Sequence, residues 1–173
     1  MTRIFMLFLL GFLVNNVEAQ ELFQSSKYNY SLVIPNGWRV KSQIVLPGTD
    51  AKIVDDKGNS LIVTVKPLPP EYKYTSSVKL LSSVTDQDLI DLWAPSYDNS
   101  YIQRRGITVV DGKEFYFVHM SCPIEGNLSL IHKMLMYNWL GLSITIDCAS
   151  ISSMTPETSV YFDVMLQSFK LAK

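Results

Sequence analysis

Apolar and polar residues alternate with a period of two along much of the chain, and that pattern predicts strands. At 28–34, Tyr28, Tyr30, Leu32 and Ile34 share one side while Asn29, Ser31 and Val33 take the other, as successive side chains of a strand do. Pro35-Asn36-Gly37 breaks the run in a turn, proline fixing φ and asparagine or glycine tolerating positive φ. Trp38 follows, placed to anchor that turn on a core. A short strand is expected within 39–46, closed by Pro47-Gly48. Residues 51–54 and 60–66 flank Asp55-Asp56-Lys57-Gly58-Asn59, which reads as a hairpin with Gly58 left-handed. From Tyr101 onward the chain reads as an antiparallel meander. Residues 102–110 and 113–122 are joined by Asp111-Gly112, and 128–137 and 142–148 follow. In the last of these, Leu142, Ile144, Ile146 and Cys148 oppose Ser143, Thr145 and Asp147.

Two segments carry the helical period instead. At 85–94, Thr85 can cap, Asp86 and Asp88 suit the positive end, and Leu89, Leu92 and Trp93 form one stripe before Pro95 stops it. Thr155-Pro156-Glu157 opens the second, with Thr155 as its cap. Tyr161, Phe162, Val164, Met165, Leu166 and Phe169 make it broadly apolar and therefore docked. Pro67, Pro69 and Pro70 exclude helix or central strand around them, so 67–83 reads as the least structured stretch. Phe115, Tyr116, Phe117, Val118 and Met120 place apolar groups on both faces of one strand. A sheet covered on both sides explains that. The expected fold class is α+β, an antiparallel β-sheet sandwiched between helices (α/β/α).

The N-terminus sets the compartment. Arg3, the apolar run 4–14 and the short residues Val17 and Ala19 around a cleavage point before Gln20 read as a secretory signal peptide over 1–19. The run falls short of the ~20 residues a spanning helix needs, and no later segment approaches that length. Of 173 residues, 154 then remain, a length that suits one domain. They divide into a flexible leader at 20–27 and a single domain at 28–173. The expected location is secreted or periplasmic, with no transmembrane segment after cleavage. A formal net charge of −1 and a pI near 6.1 leave no electrostatic footprint for nucleic acid. In an oxidising compartment Cys122 and Cys148 are a candidate disulfide. The alternative is two buried thiols. If the strand at 128–137 separates them, two strand spacings of about 9.5 Å exceed the ~7 Å a bridge tolerates, unless Cys122-Pro123 leaves the ladder.

Two short motifs carry a resemblance. Tyr30-Ser31-Leu32-Val33-Ile34-Pro35-Asn36-Gly37-Trp38 resembles the "aliphatic-Pro-x-Gly-Trp" opening of PsbP-like proteins. Phe162-x-x-Met165-Leu166-x-Ser168-Phe169 is similar to the terminal helix of that superfamily. The order of hairpins, mid-chain helix, meander and final helix is similar over nearly the whole exported chain. The superfamily includes a photosystem II extrinsic subunit, the bacterial envelope protein DcrB and a Ran-binding nuclear protein. The resemblance implies a PsbP-like fold and a largely non-enzymatic binding or assembly role. No motif matching a metal, Ran or photosystem site is present.

The residues themselves offer little chemistry. The chain lacks G-x-S-x-G, H-E-x-x-H, P-loop, C-x-x-C and G-x-G-x-x-G patterns, and no cofactor is expected. His119 and His132 are the only histidines. If Pro123 pairs with Leu128, and Trp139-Leu140 forms a two-residue turn, then His119, His132 and Asp147 align across three strands, a ligand set suited to zinc. A one-residue slip would scatter them to different faces. Trp139 and Leu140 at a turn tip, and Tyr72 and Tyr74 in the proline-rich stretch, are candidate partner contacts. Asn29-Tyr30-Ser31 and Asn127-Leu128-Ser129 fit the N-glycosylation pattern. The expected function is an exported, non-enzymatic binding or assembly protein whose partner is another envelope protein. The alternatives are a metal-binding protein or metal-dependent hydrolase using the His-His-Asp row, and a small-ligand carrier with a cavity between sheet and helix.

Overall fold

A computed structural model describes residues 20–42 and 47–172. The signal-peptide segment and residues 43–46 of the strand expected within 39–46 lie outside the described residues. Among the described residues the main sheet has seven strands, all antiparallel, in the order β3-β4-β5-β9-β8-β7-β6. These are β3 (Arg39–Val40), β4 (Thr49–Val54), β5 (Ser60–Pro67), β6 (Tyr101–Val110), β7 (Lys113–Pro123), β8 (Ser129–Trp139) and β9 (Leu142–Ile151). A second, three-stranded sheet joins β1 (Glu21–Gln24), β2 (Tyr30–Ile34) and β10 (Lys170–Leu171). Three α-helices, α1 (Ser77–Leu81), α2 (Asp86–Trp93) and α3 (Thr155–Gln167), and a 3-10 turn at Pro70–Tyr72 complete the described chain.

Both faces of the main sheet are covered, as the apolar pattern of β7 requires. On one face, α3 and the small sheet bury Phe162, Met165, Tyr30, Leu32 and Ile34 against Leu61, Val63, Ile144 and Ile146. Trp38 is buried and meets the Phe162 ring edge-on at 5.6 Å. Its position is set by the turn, where the Trp38 amide donates to the Pro35 carbonyl at 3.2 Å and Gly37 takes φ +77°. The Ser168 hydroxyl accepts the Val33 amide at 2.9 Å, tying the end of α3 to β2. On the other face, Leu89 and Ala94 pack on Tyr116, Val118, Met120, Met134 and Met136. Thr85 and Asp88 form a reciprocal capping box that starts α2. The Ser77 hydroxyl donates to the Met136 carbonyl at 2.8 Å, and Arg105 pairs with Asp86 at 2.8 Å. Those two contacts fasten the helices to the sheet.

Several expectations are corrected. The leader is not wholly loose, because Glu21–Gln24 pairs antiparallel with β2 and Phe23 packs on the core. The proline-rich stretch contains α1, which Ser76 caps by accepting the Lys79 amide. The prolines are absorbed at element ends, Pro67 as the last residue of β5 and Pro70 as the first of a 3-10 turn over Pro70–Tyr72, and the five residues of α1 are too few for an apolar period to show. Leu92 does not join the core beneath α2 and is 64% exposed. Thr155 does not cap α3. It is the first helical residue, and its hydroxyl donates back to the Ile151 carbonyl at 3.2 Å. Among the described residues no helix is long and apolar enough to cross a membrane.

Phe162 joins the two sheets and Trp38, so Phe162→Ala should lower stability by about 3–5 kcal/mol. Leu92→Ala, on an exposed helix face, should change it by less than ~0.5 kcal/mol. Urea unfolding of both variants measures the contrast.

Candidate functional site

The chemistry of each face follows from the turn between β7 and β8. Pro123 pairs with Ser129, one residue beyond the expected partner, so residues 124–128 form the connection. His119 therefore faces Lys133, and His132 faces Met120. Partners across a ladder share a face, and a one-residue change exchanges faces. The expected His-His-Asp row is not formed: His119 lies on the α3 face and His132 on the α1–α2 face. Among the described residues no group of three or more His, Cys, Asp or Glu could hold a metal. The same offset decides the cysteines. Cys122 is buried in the α1–α2 core and Cys148 in the α3 core, with β8 between their strands. They are free thiols on opposite sides of the sheet, so the candidate disulfide is corrected. Burial pushes both thiols up, which makes them inert.

The turn after β8 is also displaced by one residue. Trp139 pairs with Leu142, leaving Leu140-Gly141 as a two-residue turn with φ +49° and +81°. Both values are the positive φ of a type I′ hairpin. Asp147 then sits diagonally from His132, opposite Met134 and on the same face. His132 Nδ1 lies 3.0 and 3.1 Å from the two Asp147 carboxylate oxygens. This part of the expected row does come together.

That pair lies in a groove of about 490 Å³ between the sheet and the α1–α2 layer. The floor is built in cross-strand rows. Lys66, Ser143 and Asn138 form one row, Thr64, Thr145 and Met136 the next, then Ile62, Asp147 and Met134. Leu80 and Leu81 of α1 and Trp93 of α2 supply an apolar wall. The groove thus has a hydroxyl-rich side over β5 and β9 and a methionine-rich side over β8. Burial alone would push the His132 imidazole down. The Asp147 hydrogen bond and charge outweigh it, and the net direction is up. Sequence reasoning had no signal for the methionine wall, because its residues belong to two strands and only the register brings them together.

The segments that carry the candidate contacts Tyr72, Tyr74 and Leu140 lie against each other. The Leu68 amide donates to the Gly141 carbonyl at 2.8 Å, and Asn138 Nδ2 donates to the Thr75 carbonyl at 2.9 Å. The Lys73 stem lies on Gly141, whose missing side chain would meet it at 3.2 Å. Tyr74 is 89% exposed, Leu140 75% and Tyr72 42%. Trp139 is separated from them, half-buried against the α3-side core. Asn29 and Asn127 are both exposed.

No family model matches the sequence, and no curated protein is detectably similar to it in sequence. Solved structures are similar in fold. Cyanobacterial PsbP (CyanoP) from Synechocystis sp. PCC 6803 superposes with a TM-score of 0.67 at 17% identity, covering 92% of this chain and 96% of that one. LpqN of Mycobacterium tuberculosis gives 0.58 at 9% identity, covering 90% and 91%. The Ran-binding protein Mog1p of Saccharomyces cerevisiae gives 0.58 at 10% identity, covering 88% and 95%. The chain has the PsbP-like/Mog1 fold.

The two histidines should titrate in opposite directions from the ordinary 6.5. Burial, with Arg104 and Lys133 nearby, pushes His119 down to about 4, whereas His132 moves up. Raised in the folded state, His132 should stabilise the fold below 6.5 and lose that contribution as pH rises through its folded value. His119 should act oppositely, with stability falling as pH drops from 6.5 towards 4. Imidazole proton shifts followed by NMR should show both titrations, and Asp147→Asn should lower only that of His132.

Proposed function

We propose that this chain is a non-enzymatic binding or assembly protein acting outside the cytosol, secreted or periplasmic, with another envelope protein as its partner. The observation that carries the reading is the cluster of Tyr74, Leu140 and Tyr72, two separate segments pinned together with their side chains in solvent. Exposed aromatic and aliphatic groups on a fixed backbone can desolvate against a partner with little ordering entropy. The N-terminal pattern of Arg3, the 4–14 run and Ala19 supports export. LpqN, of the same fold, is described as involved in cell envelope biogenesis, and Mog1p as Ran-binding. The second description supports a binding role on this scaffold, and the first an envelope setting.

A photo-crosslinking residue at position 74, introduced in the native host, should give one discrete protein adduct. Leu140→Ser combined with Tyr72→Ser should abolish it. No adduct, or the same adduct from a probe at exposed Leu22 on β1, would overturn the assignment.

A second reading, a small-ligand carrier, is favoured by the groove under α1 and α2, whose volume of about 490 Å³ falls within the range of small-molecule sites. Native mass spectrometry after gentle purification should then show a bound mass of a few hundred daltons. Met136→Trp, which fills the groove floor, should remove it.

A further inference from the structure

The opposite face of the sheet holds a different set of groups. Arg104, His119 and Lys133 are directly paired across β6, β7 and β8, so their side chains form one row beside α3. They line a second groove of about 510 Å³ together with Phe117, Leu135 and Leu166. Arg104 Nε donates to His119 Nδ1 at 3.0 Å. Its guanidinium carbon stands 5.9 Å from the Phe117 ring centroid, and that ring meets His119 edge-on at 5.4 Å. Gly106 permits this packing, because a Cβ there would lie 3.1 Å from the Phe117 ring. The guanidinium is thus held by an imidazole and a ring, and among the described residues it makes no ion pair. Lys133 donates to the Ser159 hydroxyl and stands 4.0 Å from the Asp163 carboxylate, the only acid among the described residues that line this groove.

The tautomer follows from the geometry. Arginine can only donate, so His119 Nδ1 carries no proton. The ring is neutral at ordinary pH, and its proton therefore sits on Nε2, where it is a further donor. Three donor groups face one groove with a single carboxylate among them. A planar guanidinium with free N–H groups matches the oxygens of an oxyanion. A volume of 510 Å³ far exceeds a bare ion, and Phe117, Leu135 and Leu166 offer apolar surface for an organic body.

We propose that the Arg104–His119–Lys133 row is a binding site for the oxyanion head of a small organic ligand, a carboxylate or a phosphate monoester. The oxyanion bridges the Arg104 guanidinium and the Lys133 ammonium over His119, and the organic body lies along α3. The site is independent of the Tyr74–Leu140 cluster and of the groove under α1 and α2.

NMR titration of the purified protein with phenyl phosphate and with benzoate tests this. Saturable shifts of the Arg104 side-chain N–H and the His119 ring protons are expected. Tighter binding of one probe identifies the head group as phosphate or carboxylate. Arg104→Gln and Lys133→Gln should each weaken binding about tenfold or more, as loss of a charge-assisted hydrogen bond does. Arg104→Lys, which keeps the charge and loses the fork, should recover only part and guards against a folding defect in the glutamine variant. Lys52→Gln, on the opposite face of the sheet, should change nothing. An absence of saturable shifts, unchanged binding in Arg104→Gln, or an equal loss in Lys52→Gln would overturn the proposal.

Discussion

The β7–β8 ladder holds Met120 opposite His132, and both faces of the sheet take their chemistry from that offset. Moving β7 by one residue would carry Val118 and Met120 out of the α1–α2 core and put His119 in their place. Each fully buried side chain of that kind contributes roughly 1.5–3 kcal/mol. Phe115 would leave the opposite core in the same movement. A sheet buried on both sides therefore specifies its register twice over, once from each cover. The separation of the two thiols, the split of the two histidines and the rows flooring each groove all follow from that constraint.

The covers themselves are unequal, and this is why a groove exists beneath α1 and α2. A helix rises about 1.5 Å per residue and a strand about 3.3 Å. α1 and α2 have five and eight residues, whereas β7 and β8 have eleven each. The two helices cannot span the sheet they cover. They are pinned over β6 to β8 by Ser77 and Arg105, which leaves β5 and β9 to line the remainder. Pro95 stops α2 directly after its last turn, whereas α1 is bounded by the Ser76 cap and by Ser82. The hydroxyls of Thr64, Thr145 and Ser143 on the uncovered strands are what a half-wet surface tolerates. On the other face, thirteen residues of α3 and three further strands close the core.

The sequence made the elements legible where local chemistry decides them. Asp111-Gly112 does form a tight hairpin with φ +50° and +69°, Gly58 is left-handed, and Thr85 starts α2. Leu142, Ile144, Ile146 and Cys148 do share the α3-side face. Two-sided covering was readable from β7 alone. What was not readable is pairing. The connection at 124–128 has no dipeptide that fixes its length, and Leu140 accepts a positive φ that its side chain disfavours. Gly141 beside it was the available clue, since a type I′ turn suits glycine at its second position. The β7–β8 connection is one residue longer than its sequence suggests, which splits the expected metal row, and the β8–β9 turn lies one residue later, which leaves His132 and Asp147 in reach through a diagonal. Arg104 and Lys133 carry no signal in the sequence, because a basic residue in an alternating strand looks like an ordinary solvent-facing group.

The two imidazoles show how closely opposed environments can be set on one sheet. They differ by one position in the ladder, yet one accepts from a cation while the other bonds a carboxylate. The net charge of the whole chain is only −1, so the protein as a whole exerts little long-range pull on an anion. Screening at physiological salt confines a charge's reach to about 8 Å. Selectivity at the Arg104–His119–Lys133 row must therefore come from contact, through the orientation of donors already held in place. That orientation depends on Gly106 leaving room for the Phe117 ring and on His119 staying neutral. Burial and the flanking cations keep the imidazole neutral, so the same charges that would attract an oxyanion also preserve the Nδ1 lone pair that orients the guanidinium.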